Sequence, residues 1–193
     1  MKSIAVPEKH AASLRVKQLD MVRRITFIMI MANLLNAGIV TICFHGTAAS
    51  DLLYIWGAAV LLANSVAVAT QFFNPKNMDP MGERSQQALD NFTRAASLNG
   101  LLWGIAPSIV MHAADPQGQM VMGIIMAGMM FAGTFIMART PNAAFAFLLP
   151  VAIGVIAAMV FQEDTTYQFM SLLTLAYVGV LMLLLQGPVL SVS

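Results

Sequence analysis

The chain has 193 residues, of which 59% are hydrophobic and only 10% charged, and its mean hydropathy is +0.76. A soluble domain carries about 25% charged residues, so this composition excludes a protein with an extensive solvated surface. The net charge of +1 speaks against a nucleic-acid surface, and the single cysteine, Cys43, excludes an intrachain disulfide.

The length suits one domain, and at about 20 apolar residues per membrane crossing it accommodates six spans and little else. The expected fold class is therefore an all-α membrane protein, a bundle of six transmembrane helices behind an N-terminal interfacial amphipathic helix. Residues 1–24 form the cytoplasmic N-terminal segment. Within it, Pro7 to Arg24 mix Leu14, Leu19, Met21 and Val22 with basic side chains, the pattern of a helix lying on anionic lipid. Residues 25–186 form the transmembrane domain. Its apolar runs are Ile25 to Phe44, Leu52 to Phe73, Phe92 to Ala113, Met120 to Ala138, Ala143 to Phe161 and Tyr167 to Leu185. Asp79-Pro80 reads as a cap followed by the first helical residue, so the third helix starts before the membrane, and Pro141 opens the fifth. Pro107 and Pro150 sit inside spans, where neighbouring groups can satisfy the carbonyls they free. Residues 187–193 form a cytoplasmic tail.

Basic residues set the orientation. Lys2, Lys9, Arg15, Lys17, Arg23 and Arg24 precede the first span; Lys76, Arg84 and Arg94 surround the second connection, and Arg139 lies in the fourth. The first, third and fifth connections contain no Lys or Arg and hold Asp51, Asp115, Glu163 and Asp164. With the positive side inside, both termini are cytoplasmic.

Two kinds of packing signal lie within the spans. The pairs Gly123-xxx-Ala127 and Gly128-xxx-Ala132 on the fourth helix permit close backbone approach, either inside the bundle or between two copies in a homodimer. Asn33, Asn36, Asn64 and Asn99 place amides in the first three spans. Amides in lipid must find partners, so these three helices are expected to adjoin, with a ligand-binding role as the alternative.

No phosphate loop, metalloprotease His pair or Ser-His-Asp arrangement is present. No span carries a central acidic residue and no inverted repeat is evident, which weakens a transporter reading. The most suggestive chemistry is His45 with His112. His45 lies 21 residues after Arg24 and His112 lies 20 after Phe92, so both imidazoles sit roughly 30 Å above the cytoplasmic boundary at 1.5 Å per residue. Two imidazoles at one depth suit the iron of haem b or a metal ion. Cys43, Met111, Met120 and Met122 lie at similar depth and would suit copper, while Asp51 and Asp115 could orient an imidazole. The alternative is two helix-end histidines bonded to backbone or water. His10 falls in the basic segment and reads as solvated.

The stretch Ala95-Ala-Ser-Leu-Asn-Gly-Leu-Leu-Trp-Gly104, then Gly128-Met-Met-Phe-Ala-Gly133 and Ala138-Arg-Thr-Pro-Asn-Ala-Ala-Phe-Ala-Phe-Leu-Leu-Pro150, resembles the MASE-like integral-membrane sensory regions of bacterial diguanylate cyclases and related histidine kinases. The resemblance covers roughly the last two-thirds of the membrane region. It implies a sensory domain of the bacterial inner (cytoplasmic) membrane, non-catalytic in itself. Such a domain passes a signal to a cytoplasmic output domain such as a GGDEF cyclase that makes cyclic di-GMP. A GGDEF output needs two active sites face to face, which implies a homodimer. In that family the last span runs on into a linker. This sequence stops at Gln186-Gly-Pro-Val-Leu-Ser-Val-Ser193, which reads as a truncated linker. A membrane haem redox protein and, behind it, a small-solute transporter are the rival functions.

Overall fold

The computed structural model describes residues 27–72, 83–138 and 140–190, and among these the chain is helical with no strand. Six helices follow in order: α1 (Phe27–Cys43), α2 (Ser50–Phe72), α3 (Glu83–Met111), α4 (Pro116–Ile136), α5 (Pro141–Val160) and α6 (Thr165–Leu190). The α2, α4, α5 and α6 helices are long and apolar enough to cross a membrane, and α1 is apolar but shorter. The α3 helix carries Arg84, Asp90 and Arg94 in its first turns and becomes apolar only beyond them. The amphipathic segment 7–24 and the Asp79-Pro80 cap lie outside the described residues.

Three- and four-residue spacing explains which face of each helix turns inward. The buried positions of α1 and the turn after it are Ile30, Asn33, Ala37, Val40 and Phe44. Leading into and along α2 they are Ala49, Leu53, Trp56, Val60 and Asn64. Both sets are narrow stripes, with aliphatic side chains such as Ile42 and Leu62 exposed beside them. That pattern matches a helix with one face on protein and the rest on an apolar solvent. The α3 and α5 helices bury broader faces. On α3 the buried positions are Phe92, Ala96, Asn99, Gly100, Trp103, Gly104, Ala106, Pro107, Val110 and Met111; on α5 they are Ala143, Ala144, Phe147, Leu148, Val151, Ala152, Val155, Ala158 and Met159. Each packs on three neighbours, α3 on α2, α4 and α5, and α5 on α3, α4 and α6.

The most extensive contact in the bundle joins α3 to α5, and glycine makes it possible. A Cβ added at Gly100 would stand 2.5 Å from the Phe147 carbonyl oxygen, and one at Gly104 would stand 2.5 Å from the Pro150 oxygen. Gly154 of α5 faces the Gly104 backbone from the other side. The two helices therefore meet main chain to main chain, with glycine Cα hydrogens facing carbonyls, an arrangement in which weak C–H···O bonds form. By contrast, nothing lies within 4 Å of a Cβ built at Gly123 or Gly128, and Ala127, Gly128 and Ala132 are exposed. The small-residue pairs of α4 thus do not pack inside the bundle. The close-packed glycines of that helix are Gly133, against the Phe147 ring, and Gly118 in its first turn.

The first, third and fifth connections gather at one end. The Phe44 ring, in the turn after α1, packs against Gly118 at the start of α4. Gln162, after α5, donates to the Met111 carbonyl at the end of α3 over 3.5 Å. None of the three holds Lys or Arg; the third and fifth hold Asp115, Glu163 and Asp164, and Asp51 follows the first in the opening turn of α2.

The glycine contact separates two substitutions sharply. Gly104→Ala puts a methyl into the Pro150 carbonyl, and overpacking of this kind costs about 1–3 kcal/mol. Gly128→Ala meets open space. Thermal unfolding in mild detergent should show a lowered midpoint for the first and an unchanged one for the second; equal losses would refute the assigned interface.

Candidate functional site

Polar side chains cluster at two levels. Toward the end of the bundle opposite those three connections, Asn33 of α1, Asn64 of α2 and Asn99 of α3 meet in the core, 4%, 1% and 7% exposed. Asn33 Nδ2 donates to Asn99 Oδ1 at 3.3 Å and to Asn64 Oδ1 at 3.5 Å. Asn64 Nδ2 donates to the same Asn99 oxygen at 3.2 Å and to the Val60 carbonyl at 2.8 Å. Asn99 Nδ2 returns to the Ala95 carbonyl. The amides thus bring the first three helices together as expected, and they largely satisfy one another, which is how polar groups persist away from water. Asn36, on the next turn of α1, donates to the Met129 sulfur of α4.

Two tryptophans pack above the amides. Trp56 and Trp103 stand edge to face, with centroids 5.0 Å apart at 84°, and the Trp56 indole donates to the Leu102 carbonyl over 2.6 Å. The Trp103 indole N–H is fully buried and has no acceptor among the described residues.

The end that holds the acidic connections carries both histidines. The chain leaves α1 through Phe44–Ala49. There Gly46 takes a φ of +80°, open to glycine at no steric cost, while the Thr47 and Ser50 hydroxyls donate to the Phe44 carbonyl. This turn seats Phe44 inward and leaves His45 exposed. His45 Nδ1 bonds the Tyr54 hydroxyl on the first turns of α2. His112, also exposed, donates from Nδ1 to the Ser108 carbonyl at 3.1 Å on its own helix. The Phe44–Gly118 contact brings the two connections together, but each ring has a separate local partner. Among the described residues no group of three or more His, Cys, Asp or Glu side chains could hold a metal ion. Cys43 is exposed, and the glycines of α3 and α5 are filled by their mutual contact instead of opening a slot between helices.

Beside the histidines lies a network the sequence pattern did not single out. Gln119 Nε2 donates to the Met111 and Ala114 carbonyls at 2.9 and 3.1 Å, serving acceptors that the end of α3 leaves open. Its Oε1 accepts from the Tyr167 hydroxyl of α6. Asp115 caps α4, accepting from Gly118 N at 2.8 Å with Pro116 following. Asp164 caps α6 in the same way through Thr166 N. The amide and hydroxyl of Thr166 hold the Asp164 carboxyl below the usual carboxylate value, so its capping contribution is present at neutral pH and is lost as pH falls through that lowered value. Gln and Tyr carry no spacing signal. Only the position of Gln119 one turn into a helix that follows an Asp-Pro cap hinted that its amide could reach back to the preceding helix end.

The amide cluster makes a graded prediction. Asn99 Oδ1 is shared by two donors, so Asn99→Leu strips partners from both Asn33 and Asn64, whereas Asn36→Leu frees only a sulfur. At roughly 0.6–2 kcal/mol per interhelical hydrogen bond in a membrane, Asn99→Leu should lower the detergent unfolding midpoint more than Asn36→Leu. The reverse order would show that the cluster does not hold α1, α2 and α3 together.

Compared with known proteins, the chain matches no family model, no curated protein and no solved structure.

Proposed function

We propose that this chain is a sensory input domain of the bacterial cytoplasmic membrane. It crosses the bilayer six times with both termini inside and works as a homodimer. Its last helix passes the signal to a cytoplasmic output domain such as a GGDEF diguanylate cyclase. The observation that carries this reading is a contrast between helices. The α3–α5 centre is locked main chain to main chain, whereas α6 buries only Val178, Leu181 and Leu185 among its described side chains. In this reading a ligand signals by binding two placements of α6 against the rigid centre with different affinity. The charge asymmetry of the connections supports the orientation. The exposed Ala127, Gly128 and Ala132 leave α4 open to close approach by a second copy.

The experiment joins a GGDEF domain to the end of α6 through a helical junction lengthened by one to four residues, with cyclic di-GMP as the readout. GTP is cytoplasmic, so production itself reports a cytoplasmic C-terminus. Each added residue turns the output by about 100° (3.6 residues per turn), so production should rise and fall with helical period. No product, or a response indifferent to junction length, would overturn the proposal.

A second reading places haem b between His45 and His112, with a copper ion as the alternative. It is favoured by one observation: Nδ1 of His112 is committed to the Ser108 carbonyl. A hydrogen bond of that kind fixes the tautomer and presents Nε2 for ligation. A bis-imidazole haem needs only two protein ligands, so a group of three is not required. Protein expressed with haem precursor should show a Soret band that His45→Ala and His112→Ala each remove or shift. A featureless spectrum would reject haem.

A further inference from the structure

We infer that the outer half of α6, the part nearest the fifth connection, is a latched element. Two tyrosine hydroxyls hold it against α4, and it can detach while the α3–α5 centre stays folded. From Thr165 to Tyr177 α6 has no buried residue; its innermost positions, Tyr167, Ser171, Thr174 and Tyr177, are only half-buried. Buried side chains begin at Val178 and continue at Leu181 and Leu185. Fully buried apolar side chains therefore seat the second half of the helix, whereas the first half touches the core only through the half-buried Tyr167 and Tyr177 rings.

The polar positions of that first half divide into two kinds. Ser171 and Thr174 spend their hydroxyls on α6 itself, donating to the Gln168 and Met170 carbonyls. Tyr167 and Tyr177 reach across to α4. Tyr167 donates to Gln119 Oε1, and Tyr177 donates to the Ala127 carbonyl at 3.2 Å. The two bonds join the helices at two levels, ten residues apart on α6 and eight on α4, about 15 and 12 Å along their axes. Two separated tethers fix both the position and the rotation of a helix, whereas one would leave a pivot. The upper tether is also connected outward. Gln119 is held by the carbonyls that end α3, and Gln162 joins them at Met111. A change at the third connection, where His112 lies, thus acts on the Tyr167 acceptor directly.

The latch is a property of the bundle, and only its use in signalling rests on the sensory reading. Its test needs no output domain. In the full chain in nanodiscs, with Cys43→Ser as background, spin labels at Ile124→Cys and Leu172→Cys report α4 to the outer half of α6. Labels at Leu101→Cys and Ile153→Cys report α3 to α5. All four sites are exposed. The Tyr167→Phe, Tyr177→Phe double variant, which keeps both rings, should broaden the first distance distribution and shift it outward, leaving the second unchanged. An unchanged first distribution, or equal broadening of both, would overturn the latch. Amide hydrogen exchange on the unlabelled chain provides the second measurement. Residues 168–177 should exchange faster than residues 178–185 and than α5; uniform protection along α6 would refute it. A latch that opens without altering cyclase output would instead count against the sensory reading.

Discussion

Where Gly100 and Gly104 of α3 face the Phe147 and Pro150 carbonyls of α5, two helices lie at main-chain contact, and the rest of the bundle is arranged around that pair. In an apolar solvent there is no hydrophobic force to drive helices together, so association depends on close packing and on polar groups with nowhere else to go. The glycine contact supplies the first. It also sets α5 as the central helix, since a helix held that closely on one side can bury its remaining faces against α4 and α6.

The second source of cohesion is polar, and it is distributed unevenly. Asn33, Asn64 and Asn99 bind α1, α2 and α3 through side chains that mostly satisfy one another. The far end is closed by Gln119, Gln162 and the Asp115 and Asp164 caps. Between these levels α3 and α5 each contain a proline, which removes a backbone donor from an interior turn. The indole of Trp56 bonds to the α3 backbone at Leu102, five residues before Pro107. The wall of the bundle made by α6 packs on α5 and takes its polar cohesion from Tyr167 and Tyr177, which bond α4.

Six apolar runs separated by Gly, Pro and acidic punctuation were enough to place the six helices, because hydrophobic length is a strong signal in such a chain. It marks only the apolar part of a helix, so the run from Phe92 begins nine residues inside α3, and α6 continues to Leu190, into the stretch read as a tail. The need of amides in lipid for partners also foretold that the first three helices would adjoin at their asparagines. Of the two places the α4 pairs could pack, inside the bundle or between copies, the first is ruled out by the open space at Gly123 and Gly128, and the close contact inside the bundle lies on α3. Small-xxx-small spacing occurs on both α3 and α4, and spacing alone does not say which face of a helix turns inward; the neighbours do. Trp103 and Asn99 flank the α3 glycines with inward-facing groups, while Ile124, Phe131 and Phe135 surround the α4 pairs with outward-facing ones. For the histidines, residue counting gave the right end of the bundle. The alternative of a helix-end histidine bonded to backbone describes His112, whereas the turn of His45 to Tyr54 depends on a rotamer that no periodicity encodes.

The chain's two tryptophans are absent from the interfacial belts where such rings commonly anchor membrane proteins, and they stand in edge contact at the α2–α3 seam. Light absorbed by indole in this protein is therefore emitted from a single apolar location. The fluorescence spectrum becomes a built-in optical gauge of that seam, silent to the lipid headgroups and sensitive to any ligand that parts α2 from α3.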